Sequence, residues 1–466
     1  MAPFLYLQAL QTLTRKVLPT PGLAVGLIKH GKIVFRKGFG MADVQQGMKV
    51  SPETVFDIAS CTKSFTALLA AIAVQEGKLD WDRPVVEYWP EFELLDHYIT
   101  RHITARDMAC HRTGMMRHDL AFFDADFDRQ EFVSRMKYLR FNAGFRQRGE
   151  YQNQMIVALG VLLEKIYGKT WEELIREKIA APLGLALHFR GEEVPAPYSK
   201  PYALEKGRLV EVPYQTCSSD NPCGGIKLSL DGALAYLNGL LIGPFALFTK
   251  ELFKPHMPLD DSGLMPGEKT YAFGLGWMTT LYQGRRIVRH GGVINGFSSA
   301  LVLIPEENSA VVILANTLTP ALIAILQYVA VDALLGRMKL NYPAMMKAYF
   351  ARQEELRKRA SQQAIEKIAC PLPLPALTGK YSDPGYGNAV LEEEAGKLAF
   401  AIRKSWIPLE HVTGLVFRGV APVTNAPVKL QFDQDLSGRI ESISLYTLDQ
   451  PEVSCVMHRD GVGAHG

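Results

Sequence analysis

One unusually apolar segment near the start of the chain limits the folds that it can adopt. The run TALLAAIAVQ, residues 66–75, is apolar on nearly all sides of a helix, and Gly77 stands where that helix would end. Such a helix is buried, so other elements must surround it. Ser60 and Lys63 lie three residues apart at its start. A lysine near a core is costly unless it is paired or loses its proton, so either Lys63 reaches the surface or its burial has a purpose.

Segments with strand patterns lie at both ends of the first 340 residues, and residues 60–240 between them are mainly helical in pattern. An apolar helix over 320–336 follows the last strand. We therefore predict an α+β fold, in which one antiparallel sheet is flanked by helices, takes its edges from distant parts of the sequence and carries an inserted helical region. The strand segments are GLAVGLIKHGKIVFRKGFG (22–40, a hairpin turning at 30–32), RRIVRHGG (285–292), GFSSALVLIP (296–305) and SAVVILAN (309–316).

The composition changes after residue 370. Residues 341–369 are charged and favour a helix, and their acidic and basic side chains are mixed, which predicts a solvated linking helix. Short alternating runs after it predict a small antiparallel β-barrel. The predicted domains are thus 1–340, a helical linker over 341–370, and a barrel over 371–466.

Composition excludes several classes of partner. The chain has 466 residues, 48% apolar, with 51 basic and 48 acidic side chains and a net charge of +3, so we expect neither a nucleic-acid nor a membrane partner. The first nineteen residues resemble an amphipathic helix of the mature protein rather than a signal peptide. Six scattered cysteines form no CxxC pair, so we expect reduced thiols in a cytoplasmic protein.

Three short motifs could carry chemistry together. Ser60 and Lys63 share one face of a helix at its positive end, where a desolvated lysine with a lowered pKa could take the hydroxyl proton. Tyr151 in GEYQNQ could relay a proton to a leaving group, and Asn153 could hold Lys63 or a substrate carbonyl. The glycines of HGG, residues 290–292, could let a substrate approach and expose N–H groups for an oxyanion hole. Taken singly, each motif also fits a surface helix, a packed tyrosine or a β-bulge.

In this order the motifs resemble those of the serine β-lactamase and penicillin-recognising family, in its esterase, D-aminopeptidase and β-lactamase-related branch. ITARDMACHRTGM (103–115) and NPCGGIKLSLDGALAYLNGLL (221–241) also resemble family segments. The resemblance covers residues 5–340. The tail from residue 371 resembles the lipocalin-like barrel that some relatives carry.

The resemblance implies a role for each motif residue. Ser60 is similar to the nucleophile that forms an acyl-enzyme, and Lys63 to its base. Tyr151 is similar to the tyrosine that shuttles a proton, and Asn153 to its hydrogen-bonding neighbour. No cofactor and no metal are implied.

The third motif is implied to bind the substrate. His290, Gly291 and Gly292 belong to it, and the N–H groups of Ser60 and Val293 would be the oxyanion donors. Many relatives that act on cell walls or β-lactams carry lysine where this chain has His290. A mostly neutral imidazole suits esters or amides that lack a fixed carboxylate. The flanking Arg146, Arg148 and Arg289 could replace the lost charge, or could pair with acids such as Glu150.

The leading hypothesis is a serine hydrolase that acts through an acyl-enzyme on small esters or amides. An acyltransferase or transesterase and a D-aminopeptidase-like peptide-processing enzyme are the alternatives, followed by a non-catalytic scaffold. Cys61, beside Ser60, is read as a small buried residue rather than a nucleophile. The histidines at 97, 102, 111 and 118 form no HExxH motif and are read as loop and core residues. Assembly into a homo-oligomer is left open.

Overall fold

The computed structural model describes residues 20–122, 127–205, 208–259, 268–336, 368–421, 426–447 and 452–460, together with Ala344, Ala351 and Glu355. The amphipathic helix predicted over the first nineteen residues lies outside the described residues. So does most of the linker predicted over 341–370. The domain boundaries stay predictions.

The first part of the chain contains a large antiparallel sheet, a three-stranded sheet and a two-stranded sheet. The strands of this part are β1 (Gly22–Lys29), β2 (Lys32–Asp43), β3 (Met48–Lys49), β4 (Val55–Asp57), β5 (Leu187–Phe189), β6 (Tyr202–Glu205), β7 (Arg208–Glu211), β8 (Ile226–Ser229), β9 (Met257–Pro258), β10 (Glu268–Phe273), β11 (Met278–Tyr282), β12 (Arg285–Ile294), β13 (Phe297–Ile304) and β14 (Ser309–Ala315).

The nine strands of the large sheet run in the order β3-β2-β1-β14-β13-β12-β11-β10-β9, and every neighbouring pair is antiparallel. The predicted α+β class, the hairpin over 22–40 and the three late strands are confirmed. An early strand and a late strand of this part of the chain also meet inside the sheet, where β1 pairs with β14 from Leu23 opposite Ala315 to Ile28 opposite Ala310.

Helices cover both faces of this sheet, and most of them lie in the sequence between β4 and β9. They are α1 (Thr62–Gln75), α2 (His97–His102), α3 (Ala105–Ala109), α4 (Arg129–Arg135), α5 (Gln154–Tyr167), α6 (Trp171–Ile175), α7 (Ala181–Leu183), α8 (Asn221–Gly224), α9 (Leu230–Leu241), α10 (Thr249–Leu252) and α11 (Pro320–Leu335), with 3-10 turns at Ala59–Cys61, Val85–Glu87, Asp119–Ala121, Met136–Tyr138, Ala246–Phe248 and Pro305–Glu307 and a π turn at Arg176–Ala180. A further short helix, α12 (Leu374–Leu377), belongs to the last part of the chain. Among the described residues no single helix is long and apolar enough to cross a bilayer, although Leu230–Leu241 and Ala246–Leu252 pass that test as one bent pair.

The alternation of side chains along β1 separates two apolar cores. Leu23 and Val25 point to the face that α11 covers, whereas Ala24 points to the face covered by α1 and α9. Gly26 lies on this second face, where a Cβ atom would collide with two leucines of α9. The sheet thus separates α11 from the core that surrounds α1.

Helix α1 lies inside the protein, as its sequence predicts. Every side chain from Thr62 to Ala73 is buried. Its polar side chains are satisfied locally: the Ser64 hydroxyl donates to the Cys61 carbonyl oxygen at 2.7 Å, and Thr66 donates to the Pro222 carbonyl oxygen at 2.6 Å. Burial without unpaired polar groups fixes α1 against its neighbours, so the turn before it has a defined position.

The second half of β12 has one edge that no described strand pairs. Its register with β11 ends at Arg289, whereas its register with β13 continues to Ile294. Beyond Arg289 the strand runs beside the turn that precedes α1, because the Cys61 thiol donates to the His290 carbonyl oxygen at 3.3 Å. Ser299 of β13 also donates to the Ile58 carbonyl oxygen at 2.8 Å. The start of α1 is therefore attached to the face of β12 and β13 on which Gly292 and the Ser299 hydroxyl lie.

The last part of the chain forms a second antiparallel sheet of nine strands. The strands are β15 (Gly379–Asp383), β16 (Gly387–Glu394), β17 (Lys397–Ile402), β18 (Ser405–Pro408), β19 (Glu410–Thr413), β20 (Val416–Ala421), β21 (Ala426–Gln434), β22 (Ile440–Thr447) and β23 (Cys455–Arg459). Their order is β18-β17-β16-β15-β23-β22-β21-β20-β19, and the edge strand β18 curls back over β20. The predicted all-β, barrel-like domain is confirmed, whereas its relation to lipocalins stays a prediction.

The contact between β12 and the turn before α1 can be tested at two adjacent glycines. A Cβ at Gly292 would overlap the Ile58 carbonyl oxygen and the Ser299 hydroxyl, whereas a Cβ at Gly291 would meet only the Ser299 carbonyl oxygen, at 3.8 Å. We expect Gly292→Ala to lower the free energy of unfolding by about 1–3 kcal/mol, as overpacking does. Gly291→Ala is the matched control and should change it much less. Urea unfolding of both variants would reveal equal losses if the two positions are not distinct.

Candidate active site

Ser60 and Lys63 are in direct contact. Ser60 lies in the 3-10 turn Ala59–Cys61, and Lys63 lies in the first turn of α1. The Lys63 Nζ donates to the Ser60 Oγ at 3.1 Å. Lys63 is fully buried, whereas Ser60 is partly exposed. The arrangement therefore presents a hydroxyl to solvent and keeps the amine behind it in the core.

The second partner of the Lys63 amine is a backbone carbonyl and not a carboxylate. Lys63 Nζ donates to the Cys223 carbonyl oxygen of α8 at 2.7 Å. Within the described part of the chain, no carboxylate forms an ion pair with this amine. A carbonyl dipole orients the amine beside the Ser60 hydroxyl without placing a full negative charge next to it.

A buried arginine fixes both the turn that carries Ser60 and the segment that carries Cys223. Arg190 pairs with Asp220 at 2.9 Å and with Asp57 at 3.2 Å, and it also donates to the Gly224 carbonyl oxygen. The other Asp57 oxygen accepts from the Ala59 N–H at 2.9 Å. These bonds brace the two groups that Lys63 contacts.

The residue before Ser60 has an uncommon backbone conformation. Ala59 has a φ of 47°, in the left-handed region that residues with a Cβ seldom adopt. Its N–H bond to Asp57 and the attachment of Ile58 to Ser299 hold it there. Backbone strain of this kind is found where a structure over-determines a functional turn, and here it sets the direction of Ser60.

Tyr151 lies against the other side of the Lys63 amine. Its ring centroid is 5.1 Å from Lys63 Nζ and 5.3 Å from the guanidinium carbon of Arg117. The rings of His111 and His290 lie 4.8 and 6.2 Å from it, centroid to centroid. The structure thus brings together the predicted residues Ser60, Lys63, Tyr151 and His290, although they are far apart in sequence.

Asn153 has a different partner from the two that the sequence suggested. Its side-chain amide donates to Asp119 Oδ1 at 2.9 Å, whereas Asp119 Oδ2 accepts from Arg117 Nε at 2.6 Å. Asp119 therefore links Asn153 to the arginine that lies on the Tyr151 ring. Burial lowers the pKa of Arg117, but the charge of Asp119 outweighs it, and the net shift is upward.

The histidines around Tyr151 are neutral at physiological pH. Burial and then the positive charge of Lys63 lower the pKa of His290 to about 3, and the same two causes lower the pKa of His111 well below its usual value. His290 is 2% exposed and its Nδ1 lies 2.7 Å from the Gly291 carbonyl oxygen. The imidazole at this position therefore supplies no fixed cation for a substrate carboxylate.

The third motif occupies the unpaired edge of β12. Gly291 and Val293 are exposed, whereas His290 and Gly292 are buried. The small size of Gly292 accommodates the Ile58 carbonyl of the neighbouring turn. The role of Val293 as an oxyanion donor stays a prediction.

The three arginines that flank the motifs pair with acids, as one of the two readings of the sequence held. Arg146 pairs with Asp107 at 2.7 Å and Arg148 with Glu150 at 3.3 Å. Arg289 lies on the α11 side of the sheet, where its guanidinium is 3.4 Å from Glu268.

Sequence reasoning missed the supporting residues of the site. Arg117, Asp119, Asp57 and Arg190 carry no motif, and each contributes through a partner distant in sequence. His111 lay inside a segment that resembled the family, yet it was read as a core histidine. Only its neighbourhood in the fold reveals that it contacts Tyr151.

Cys61 and the histidines do not form competing sites. Burial raises the pKa of the Cys61 thiol to about 12, so at neutral pH it is no thiolate nucleophile. Among the residues that the structure describes, no group of three or more His, Cys, Asp or Glu side chains is arranged to hold a metal ion.

Separate family models match the first and the last part of the chain. A family model described as Beta-lactamase matches residues 10–334, and one described as a domain of unknown function, DUF3471, matches residues 363–458. The unguisins hydrolase ungD' of Aspergillus campestris is 29% identical over 429 residues, which cover 84% of this chain and 78% of that protein. These matches support a hydrolase.

Solved structures share the fold over nearly the whole chain. The octameric penicillin-binding protein homologue from Pyrococcus abyssi superposes with a TM-score of 0.64 at 22% identity and covers 97% of this chain and 99% of that one. SurE superposes with a TM-score of 0.59 at 19% identity, covering 98% and 99%, and SurE with D-Leu with a TM-score of 0.56 at the same identity and coverage. These proteins are therefore similar to this chain in fold over nearly its whole length.

The neutral histidines predict how stability depends on pH. A buried histidine whose pKa is lowered on folding binds protons more readily in the unfolded chain than in the folded one. Its full contribution to the free energy of unfolding is therefore present above the unfolded pKa of about 6.5, and it is lost as the pH falls toward the folded pKa. For His290 that window runs from about 6.5 to about 3. Between pH 7.5 and 4.5 we expect the advantage of the native chain over His290→Gln to shrink by about 2–3 kcal/mol.

Urea unfolding at the two pH values measures this difference. His97→Gln is the matched control because His97 is exposed on α2. This control separates the loss of a histidine in general from the loss of the buried one. A pH-independent difference for His290→Gln would contradict the neutral, buried imidazole.

Proposed function

Because the chain belongs to the beta-lactamase family, we propose that it is a serine hydrolase that acts through an acyl-enzyme on small esters or amides. The observation that carries the proposal is the 3.1 Å bond between Lys63 Nζ and the partly exposed Ser60 Oγ. Burial of the Lys63 amine costs free energy, and the fold itself does not require a serine hydroxyl beside it. The pair is therefore better explained by catalysis than by structure.

In the first step the Lys63 ammonium releases its own proton, the resulting amine takes the proton of Ser60, and the serine oxygen attacks the substrate carbonyl carbon. The Cys223 carbonyl and the Arg190 brace keep the amine beside the hydroxyl, which supplies the orientation that such a step needs. The new oxyanion would lie between the N–H groups of Ser60 and Val293, at the start of α1 and on the open edge of β12.

In the second step the leaving group departs with a proton and leaves the acyl group on Ser60. Tyr151 is the proposed donor, because its ring centroid lies 5.1 Å from the Lys63 amine and a phenol near the reacting groups can serve as a general acid. Water then gives a proton to the same groups as its oxygen attacks the ester carbonyl. The bond between the acyl group and Ser60 breaks, the carboxylic acid leaves, and that proton returns to the Ser60 oxygen. No step needs a metal or a cofactor.

The surroundings of His290 bear on the substrate. Its low pKa leaves a neutral ring where a substrate carboxylate would need a cation, which supports esters and amides without a carboxylate next to the scissile bond. The relative named unguisins hydrolase supports hydrolysis over acyl transfer. The structure of SurE with D-Leu makes D-aminoacyl amides a reasonable part of a substrate panel.

An acyltransferase and a D-aminopeptidase-like enzyme would use the same site. Transfer requires only that an alcohol or amine outcompete water for the acyl-enzyme. Hydrolysis of p-nitrophenyl esters and D- and L-aminoacyl amides, with and without added acceptors, separates the three activities by product analysis. A scaffold without catalysis would turn over none of them.

The identity of the nucleophile is tested with two neighbouring residues. We expect Ser60→Ala to abolish both ester hydrolysis and labelling by a fluorophosphonate probe, because the attacking oxygen is gone. Cys61→Ala is the matched control and should keep both, since its thiol is buried and protonated. Mass spectrometry of the labelled peptide locates the adduct. Full labelling of Ser60→Ala would refute the serine mechanism.

The base is tested at Lys63. Lys63→Met keeps an unbranched side chain of similar length but cannot accept a proton, so we expect the acylation rate to fall by about 10²–10⁴-fold. Lys78→Met, at an exposed lysine just beyond α1, is the control and should leave the rate unchanged. Stopped-flow release of p-nitrophenol reports acylation directly. A fall of less than threefold would remove Lys63 from the mechanism.

A further inference from the structure

A turn of the C-terminal sheet enters the catalytic part of the chain. The turn joins β15 to β16, and its Asp383 carboxylate accepts from the N–H groups of Gly385 and Tyr386, each at 2.8 Å. A Cβ on Gly385 would meet Leu139 at 2.9 Å, so the turn lies flat on the end of the segment after α4. Tyr386 is fully buried there.

The hydroxyl of Tyr386 bonds to a histidine next to the site. Tyr386 Oη lies 2.8 Å from His118 Nδ1, and His118 Nε2 lies 2.9 Å from the Arg140 carbonyl oxygen. A carbonyl oxygen can only accept, so Nε2 carries the hydrogen. Burial lowers the pKa of His118 to about 4, so its Nδ1 has a free electron pair at neutral pH. The Tyr386 hydroxyl is therefore the donor, and it fixes the tautomer of His118.

A second residue of the C-terminal sheet holds the same segment at its other end. Arg403 follows β17, and its Nη2 donates to the Ala121 carbonyl oxygen at 2.7 Å and to the Tyr386 carbonyl oxygen at 2.8 Å. The segment from His118 to Ala121 is thus bound at both ends by groups from the other sheet. Between these two points lies Asp119.

Asp119 passes this constraint to the catalytic residues. Its two carboxylate oxygens accept from Asn153 and Arg117, and the Arg117 guanidinium lies on the ring of Tyr151. Asp119 is 3% exposed, so a shift of its backbone cannot be compensated by solvent. The route from the C-terminal sheet to the phenol therefore runs through the buried His118 and Asp119 and then through Arg117, which is partly exposed.

We propose that Tyr386 is a positioning residue for Tyr151, and that the C-terminal sheet thereby helps to complete the active site. The inference rests on the proposed function and adds to it a role for the domain that the match to a domain of unknown function leaves open. Tyr386 touches no reacting atom. It acts by holding His118, and through the adjacent Asp119 it holds Arg117 and Asn153 beside the phenol.

The test compares two tyrosines of the same sheet. Tyr381 is also fully buried, and its hydroxyl donates to the Leu377 carbonyl oxygen at 3.1 Å, away from the site. Both Tyr386→Phe and Tyr381→Phe delete one buried hydroxyl, so both should lower Tm to a similar extent. We expect only Tyr386→Phe to lower kcat, by about tenfold, with KM within about twofold, because misplacement of a catalytic group slows the chemical step. Equal kcat values in the two variants would overturn the inference.

A double-mutant cycle then tests the route. If Tyr386 acts through Asp119, Tyr386→Phe should slow the Asp119→Asn variant by less than about twofold, whereas independent effects would multiply. Multiplication would overturn the route through Asp119. Fluorophosphonate labelling of Ser60 in the native chain tests the proposed serine hydrolase function independently of the role of Tyr386. If the native chain is labelled at Ser60 but Tyr386→Phe and Tyr381→Phe have equal kcat values, the role of Tyr386 alone is refuted. Activity that survives Ser60→Ala refutes both proposals.

Discussion

The placement of one amine in the core is the constraint on which the rest of the site depends. Lys63 is buried without a counter-ion in the described part of the chain, so its position must be fixed by neutral groups, which are the Ser60 hydroxyl and the Cys223 carbonyl. Those two groups come from segments about 160 residues apart, and Arg190 binds the surroundings of both. The left-handed conformation of Ala59 follows from the same requirement, because the turn must direct Ser60 outward while Lys63 stays inside.

Charge around the phenol is arranged in layers. Nearest to Tyr151 are the Lys63 amine and the Arg117 guanidinium, together with two imidazoles that burial keeps neutral. The only carboxylate described among these contacts, Asp119, neutralises Arg117 from the far side. Two further protonated imidazoles would add positive charge to a buried site that already contains an amine and a guanidinium. Their low pKa values are the physical response to that cost.

The two nine-stranded sheets contribute differently to the site. The first supplies the open edge of β12 and surrounds α1, whereas the second inserts Tyr386 and Arg403 behind the residues that contact the phenol. Buried hydrogen bonds between two domains constrain relative motion more than a loosely packed polar interface would. Residues 118–121 are therefore best understood as a segment shared by both parts of the chain.

The sequence by itself determined the buried helix after Ser60, the hairpin over 22–40, the late strands and the change to a β-rich tail, because apolar periodicity reports local structure directly. It also determined the motif residues, because their types and order are unusual together. Tertiary structure alone decided that β1 meets β14, that Asn153 bonds to Asp119, and that Arg117, Arg190 and Tyr386 support the site. These residues lack any local pattern. Their contribution depends on partners tens to hundreds of positions away, and only folding brings those partners within hydrogen-bonding distance.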